Sequence, residues 1–123
     1  MPKSQPQALE PVLDDENLVE RLMGDRELAC RILRRFVADT PRQLVLLAEA
    51  VQGADAAAAH RAAHALKGAA ANAGGARLSD TARRIEALAK TGDLAGAAKL
   101  LAELLGQFES FRAQAEDFAN APG

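Results

Sequence analysis

Apolar residues recur every three or four positions along most of the chain, which is the spacing of helices that bury one face. The pattern predicts five helices, a short one that ends at Gly24 and four long ones after it. The fourth helix of the five is predicted to begin at about Leu78. Short connections between long helices favour antiparallel neighbours. We therefore expect an all-α fold, an antiparallel up-and-down four-helix bundle with a short additional N-terminal helix. Four of the five predicted helices follow an aspartate that can cap them: Asp14, Asp25, Asp55 and Asp93.

The same pattern divides the chain into two parts. Residues 1–13 show no helical periodicity and carry Pro2, Pro6 and Pro11, so we expect a flexible lead or linker there. Residues 14–120 form the predicted bundle domain. Within it, Pro41 is expected to kink or interrupt the second helix at Thr40.

Helical wheels predict which side of each helix meets the core. On the third helix the core positions lie opposite His64 and are Ala62, Leu66, Ala69 and Ala73. On the fourth helix they are Leu78, Ala82, Ile85 and Leu88 or Ala89. The last helix carries a long apolar stripe of Leu94, Ala97, Leu101, Leu104, Leu105, Phe108 and Phe111.

Composition supports helices and excludes several functional classes. The chain has 29 Ala and 17 Leu but only 10 β-branched residues, which disfavours any sheet. A net charge of −2 and the absence of Trp and Tyr argue against a nucleic-acid partner. The single cysteine, Cys30, fits a reducing compartment. We find no signal peptide and no stretch long enough to cross a membrane, so we expect a cytoplasmic protein without a membrane partner. We also expect a monomer.

The chain contains two histidines, His60 and His64, four residues apart on the third helix. Such a pair could share a metal ion, but the zinc hydrolases of this spacing need a glutamate directly after the first histidine. Arg61 stands there instead, and no cysteine cluster or further histidine supplies ligands. No phosphate-binding glycine loop or nucleophile elbow is found either. A metal-dependent or ATP-binding enzyme is therefore disfavoured.

The stretch from His64 is more informative, since it reads His64-Ala65-Leu66-Lys67-Gly68 and is followed by small residues up to a glycine ten positions after the histidine, Gly74. It resembles the signature of histidine-containing phosphotransfer (HPt) domains. The resemblance covers about residues 14–115 and extends to the flanking helices through Phe36, Pro41, Leu44 and Leu47 before the motif and Leu78, Ala82, Ile85 and Glu86 after it. One departure is Ala73, where the family commonly has a larger apolar residue.

The resemblance implies a phosphorelay intermediate. His64 would accept a phosphoryl group from a receiver-domain phospho-aspartate, through the ring nitrogen distal to the backbone, and pass it to another receiver. The partners would be response-regulator receiver domains, with a hybrid sensor histidine kinase as a further candidate. The chain would need no cofactor of its own, because the receiver supplies Mg²⁺. It would be a phosphocarrier without autonomous kinase activity.

The physical chemistry of the motif agrees with this role. A histidine has an ordinary pKa of about 6.5, so much of it is neutral and nucleophilic near neutral pH. Lys67, at i+3, can reach the same face and stabilise phosphoryl charge. Gly68 costs about 1 kcal/mol of helix propensity relative to alanine, which suggests that it keeps space open for a partner. The wheel places His60 and Ala71 near His64, and we predict a partner-binding surface of His60, Arg61, Ala71, Asn72 and Gly75.

Two alternatives remain open at this point. The chain could be a structural or adaptor bundle that keeps the fold without transfer, although the joint presence of His64, Lys67 and Gly68 argues against it. It could also be an HPt module that a separate kinase domain phosphorylates from ATP. The motif does not distinguish the phosphodonors.

Overall fold

Aspartates begin four of the five helices in the computed structural model, which describes residues 12–121. The helices are α1 (Asp15–Arg21), α2 (Arg26–Gln52), α3 (Ala56–Asn72), α4 (Ala76–Lys90) and α5 (Leu94–Asn120). In each predicted cap the aspartate side chain accepts a hydrogen bond from a backbone N–H three residues later, at Asp14, Asp25, Asp55 and Asp93. The predicted all-α fold is confirmed, and the described residues contain no strand.

The start of α4 differs from the prediction. The helix begins at Ala76, two residues before Leu78, and follows Gly75, which offers no side-chain cap. A glycine cap leaves no polar signal in the sequence, so the apolar pattern alone placed the start at the first large apolar residue.

The four long helices pack as a bundle in which each contacts its neighbours in sequence and α5 closes against α2. The α3–α4 interface is the most extensive and is built of small residues, since Ala59, Ala63 and Ala70 of α3 and Ala82 and Ala89 of α4 are all buried. Aromatic side chains fill the α2–α5 side. The ring of Phe36 meets those of Phe111 and Phe108 edge-on, with centroids 5.1 and 6.2 Å apart.

The short helix α1 closes one end of this bundle. Leu18 is fully buried, and the backbone N–H of Asp14 donates to the carbonyl of Gly74 at the α3–α4 turn. The N–H of Leu13 donates to Gln114 Oε1 on α5, and both Val12 and Leu13 are buried. The predicted lead is therefore too long at its C-terminal end, because these two residues belong to the core. The remainder of that lead, residues 1–11, lies outside the described residues.

Helix α2 runs through Pro41 as one helix, so of the predicted kink or interruption at Thr40 the interruption is not found. Pro41 lacks an N–H and is exposed. Thr40 and Leu44 are buried on either side of Pro41 and hold both halves of the helix on the core. Tertiary packing thus overrides the local effect of the proline.

Most of the predicted core positions are confirmed, including Leu78, Ala82, Ile85 and Ala89 on α4. Two are wrong: Ala69 on α3 and Leu105 on α5 are exposed. Each lies at the border of its apolar stripe, where the wheel angle alone does not decide whether a neighbouring helix covers the position. Among the described residues, none of the helices combines the length and apolar character needed to cross a lipid bilayer.

Candidate phosphotransfer site

His64 stands on the outer surface of α3, with 64% of its side chain exposed. The opposite flank of the helix is buried at Ala62, Ala63 and Leu66, as the wheel predicts for all but Ala63. The burial of this flank fixes the rotation of α3 and directs His64 away from the core. A side chain so placed is accessible to a partner protein.

Glu86 of α4 holds the imidazole ring of His64 by one nitrogen. Its Oε2 atom lies 2.6 Å from Nδ1 of His64. The pKa of Glu86 is lowered from its ordinary value of 4.5, chiefly by the hydrogen bond from Lys67 and then by the one from His64, while partial burial acts in the opposite direction. An ionised carboxylate only accepts hydrogen bonds, so Nδ1 must carry the proton. In the neutral ring Nε2 then has a free lone pair.

Lys67 also binds Glu86. Its Nζ atom lies 2.9 Å from Oε1 of Glu86, the second oxygen of the carboxylate, and its side chain is one-third exposed. Lys67 is on the face that the sequence predicts, one turn from His64, but its ammonium group already has a carboxylate partner. A bond between the hydroxyl of Ser79 and the carbonyl of Lys67, at 2.9 Å, ties α3 to α4 at the same level.

His60 completes the cluster around Glu86. Its Nε2 atom lies 3.5 Å from Oε2 of Glu86, and its ring is nearly parallel to that of His64, with centroids 6.4 Å apart. His60 is less exposed than His64, with 38% of its side chain accessible. One carboxylate therefore stands beside three side chains of α3.

The surface beyond His64 is low because its side chains are small. A Cβ atom added at Gly68 would meet nothing within 4 Å, so the glycine fills no packing role within the described chain. Ala71, Asn72 and Arg61 are exposed on the same helix, as expected for the predicted partner-binding surface.

Gly75 does not belong to that surface, and its prediction as a partner-binding residue is corrected. It is buried, and an added Cβ would lie 3.1 Å from the ring of Phe111 and 3.3 Å from Leu78. The prediction fails because α3 ends at Asn72 and the chain turns inward before α4. Gly75 thus allows the close approach of the turn to α5.

A groove of about 650 Å³ runs along the other flank of His64's helix, between α2 and α3. Leu28 and Ile32 of α2 are half-buried and line it. Ala65 and Ala69 form its α3 side. Arg31 and the ion pair of Arg35 with Asp39 stand on its α2 side. The groove therefore has an apolar floor and a charged rim, and it lies beside the exposed His64.

Glu86 is the functional residue that the sequence reasoning did not assign to the site. The family resemblance includes Glu86 but gives it no role, and a glutamate beside Ile85 on the border of the inward face of α4 is also a normal place for a solvated charge. Finding it requires the relative register of α3 and α4, which the apolar pattern of either helix does not contain. Among the described residues no group of three or more His, Cys, Asp or Glu side chains is placed to hold a metal ion.

Comparison with known proteins agrees with the motif and the fold. The family model described as Hpt domain matches residues 31–114. The structure is similar to the crystal structure of histidine-containing phosphotransfer protein B (HptB) from Pseudomonas aeruginosa PAO1, with a TM-score of 0.81 and 27% sequence identity over 91% of this chain and 98% of that one. A search of curated proteins found no match. The chain belongs to the Hpt domain family and is a phosphocarrier module, a histidine-phosphotransfer intermediate of a phosphorelay.

Proposed function

We propose that the protein carries the phosphoryl group on Nε2 of His64 and passes it between receiver domains. The observation that supports this most is the division of labour in the imidazole ring. Nδ1 is bound to Glu86 at 2.6 Å, while the side chain as a whole is 64% exposed. The ring thus has one nitrogen for positioning and one for chemistry.

In the charging step Nε2 attacks the phosphorus of a receiver phospho-aspartate in line with the bond that breaks. The Nε2–P bond forms, the P–O bond breaks and the aspartate carboxylate leaves. The proton on Nδ1 remains, and the positive charge that develops on the ring is stabilised by Glu86. Onward transfer to a second receiver is the reverse sequence. Mg²⁺ bound by the receiver stabilises the charge on the transferred oxygens, so the chain itself contributes a positioned nucleophile.

The receiver docks over His64 and the surface around it. Gly68 and Ala71 leave room for its backbone, and Arg61 and Asn72 stand at the edge of the contact. The groove between α2 and α3 continues this surface with the half-buried Leu28 and Ile32. Helix α3 contains no acidic residue, which suits a partner whose phosphorylation site is rich in carboxylates.

Phospho-receivers, including that of a hybrid sensor histidine kinase, are the phosphodonors, and the protein has no kinase activity of its own. It acts as a monomer in the cytoplasm, where receivers reside. No nucleic acid or membrane takes part.

The experiment is a transfer assay with receiver domains charged by labelled acetyl phosphate. The wild-type protein should acquire acid-labile, base-stable label within minutes from at least one receiver, and the His60→Ala variant should do the same. His64→Gln should acquire none. Label on His64→Gln, or transfer from no receiver in the source genome, would contradict the proposal.

A further inference from the structure

The ammonium group of Lys67 has two possible partners at this site. In the unphosphorylated protein it binds Oε1 of Glu86 at 2.9 Å. Lys67 also lies one helical turn after His64, so its flexible stem can carry the same group toward a phosphoryl on Nε2. Oε2 of Glu86 is occupied by Nδ1 of His64, so the carboxylate is fixed in place and cannot follow the lysine.

We propose that Glu86 competes with the phosphoryl group for Lys67, and that Lys67 changes partner when His64 is phosphorylated. The inference rests on the proposed function of His64 as the phosphoryl carrier. In this arrangement Lys67 does not wait as a free cation. It must give up the carboxylate to stabilise the phosphoryl group.

The ring of His64 separates the two partners. Glu86 binds Nδ1, whereas the phosphoryl group is attached to Nε2 on the far side of the ring. An ammonium group that moves fully onto the phosphoryl oxygens therefore loses its contact with Oε1. The carboxylate is only 14% exposed and the lysine 33%, so water screens this ion pair less than an open surface pair.

The consequence concerns how tightly the protein holds its cargo. The stabilisation that Lys67 gives the phosphoryl group is reduced by the ion pair that it abandons. Phospho-His64 is thereby kept reactive, and the phosphoryl group moves on to the next receiver more readily. Glu86 acts here as a positioning residue with two effects, one on the ring and one on the lysine.

A double-mutant cycle isolates the second effect. The quantity measured is the equilibrium constant for phosphoryl transfer from a receiver to His64. The receiver is the one that phosphorylates the wild-type protein fastest. The four proteins compared are wild type, Lys67→Met, Glu86→Gln and the double variant. The effect of Glu86 on the ring is present in both lysine backgrounds and cancels. Removing Lys67 should lower the equilibrium constant about two- to fivefold more in the Glu86→Gln background than in wild type, the range of a partly exposed ion pair.

The Glu109→Gln variant is a matched control. Glu109 pairs with Arg112 on α5, the helix across the bundle from α3, at 2.5 Å. Its loss should leave the effect of Lys67→Met as it is in wild type. Equal effects of Lys67→Met in the wild-type and Glu86→Gln backgrounds would overturn the proposal.

A second measurement needs no receiver and keeps the two proposals apart. Phosphoramidate charges histidine directly, because Nε2 forms the bond to phosphorus while the P–N bond breaks and ammonia leaves. Carbon-13 NMR then follows the carboxyl group of Glu86 against pH. Phosphorylation of His64 should raise the pKa of Glu86 more in wild type than in Lys67→Met, since only wild type also loses the contact between Lys67 and Glu86. An equal rise refutes the partner change, whereas failure of every receiver to charge the protein refutes only the receiver-fed function.

Discussion

Oε2 of Glu86 lies 2.6 Å from Nδ1 of His64, across the interface between α3 and α4. The two residues are 22 positions apart in the sequence. The contact fixes the proton on one nitrogen and leaves the other toward solvent. It also makes the reactivity of an exposed histidine depend on a residue that is mostly covered.

Replacing His64 with Gln should abolish phosphoryl acceptance and leave the helical circular dichroism spectrum and melting temperature nearly unchanged. The side chain is 64% exposed, so it contributes little burial to stability. The control is His60→Ala, which removes the other histidine of the chain and should remain competent. Loss of labelling only in His60→Ala would move the phosphorylation site to that residue.

Glu86→Ala should release Nδ1 and let the proton of the neutral ring divide between the two nitrogens. Nitrogen-15 NMR of His64 should show this as a change from one tautomer to a mixture. Charging by a receiver should slow about tenfold, which corresponds to about 1.4 kcal/mol for a lost charge-assisted hydrogen bond. A slower rate with an unchanged tautomer would mean that Glu86 acts by charge alone.

Substitution of Gly68 should separate stability from transfer. Gly68→Ala should stabilise the protein by about 1 kcal/mol, because an added Cβ has open space and alanine favours helix. Gly68→Leu should keep most of that stability but slow transfer steeply, since a long side chain would stand one turn from His64.

Gly106 gives a matched control for that series. It is also a helical glycine with open space around an added Cβ, but it lies on α5. Gly106→Leu should therefore leave the transfer rate unchanged. If Gly68→Leu transfers as fast as wild type, the partner does not approach over position 68.

Gly74→Ala should destabilise the protein more than Gly92→Ala. Both glycines have φ of +82°, so alanine costs about 1 kcal/mol at either position. At Gly74 the new methyl group would also lie 3.3 Å from the carbonyl of Asp14 and 3.3 Å from Cβ of Leu18, while at Gly92 it meets nothing within 4 Å. We expect about 1 kcal/mol of additional loss in urea unfolding. Equal losses would show that α1 yields without cost.

The lowered pKa of Glu86 links stability to pH. A carboxyl group whose pKa is lower in the folded state stabilises the protein above its unfolded value of 4.5, and this contribution is lost as the pH falls through the lower folded value. Wild type should therefore be more stable than Glu86→Gln at neutral pH, and the difference should shrink in acid. Comparing the two proteins cancels the titration of the aspartate caps. A difference that stays constant with pH would contradict the assignment.

The sequence predicts the parts of this fold that depend on local rules. Four helix starts can be predicted because a side-chain cap is a local interaction. The capping residues are Asp14, Asp25, Asp55 and Asp93. The motif likewise places His64, Lys67 and Gly68 on one face, since all three share a single helix. Pro41 does not interrupt α2, because Thr40 and Leu44 on either side of it pack on the core.

The parts that the sequence misses depend on how helices meet. Glu86 reaches His64 only through the register of α4 against α3, and no pattern within one helix encodes that register. Gly75 is buried and not on the partner-binding surface, because α3 ends at Asn72 and the chain then turns toward the core. Ala69 and Leu105 are exposed because no neighbouring helix covers their edge of the stripe.

The alanines buried between α3 and α4 have a consequence for the chemistry of His64. Small side chains let two helix axes come closer together than leucine or phenylalanine would allow. Ala59 and Ala63 of α3 and Ala82 of α4 are fully buried there, in the same layer that brings Glu86 within reach of the ring. The reactivity of the nucleophile therefore depends partly on small side chains that take no part in the chemistry. A larger residue at one of these alanines would weaken the imidazole–carboxylate contact by widening the gap that it spans, while every polar residue of the site stayed in place.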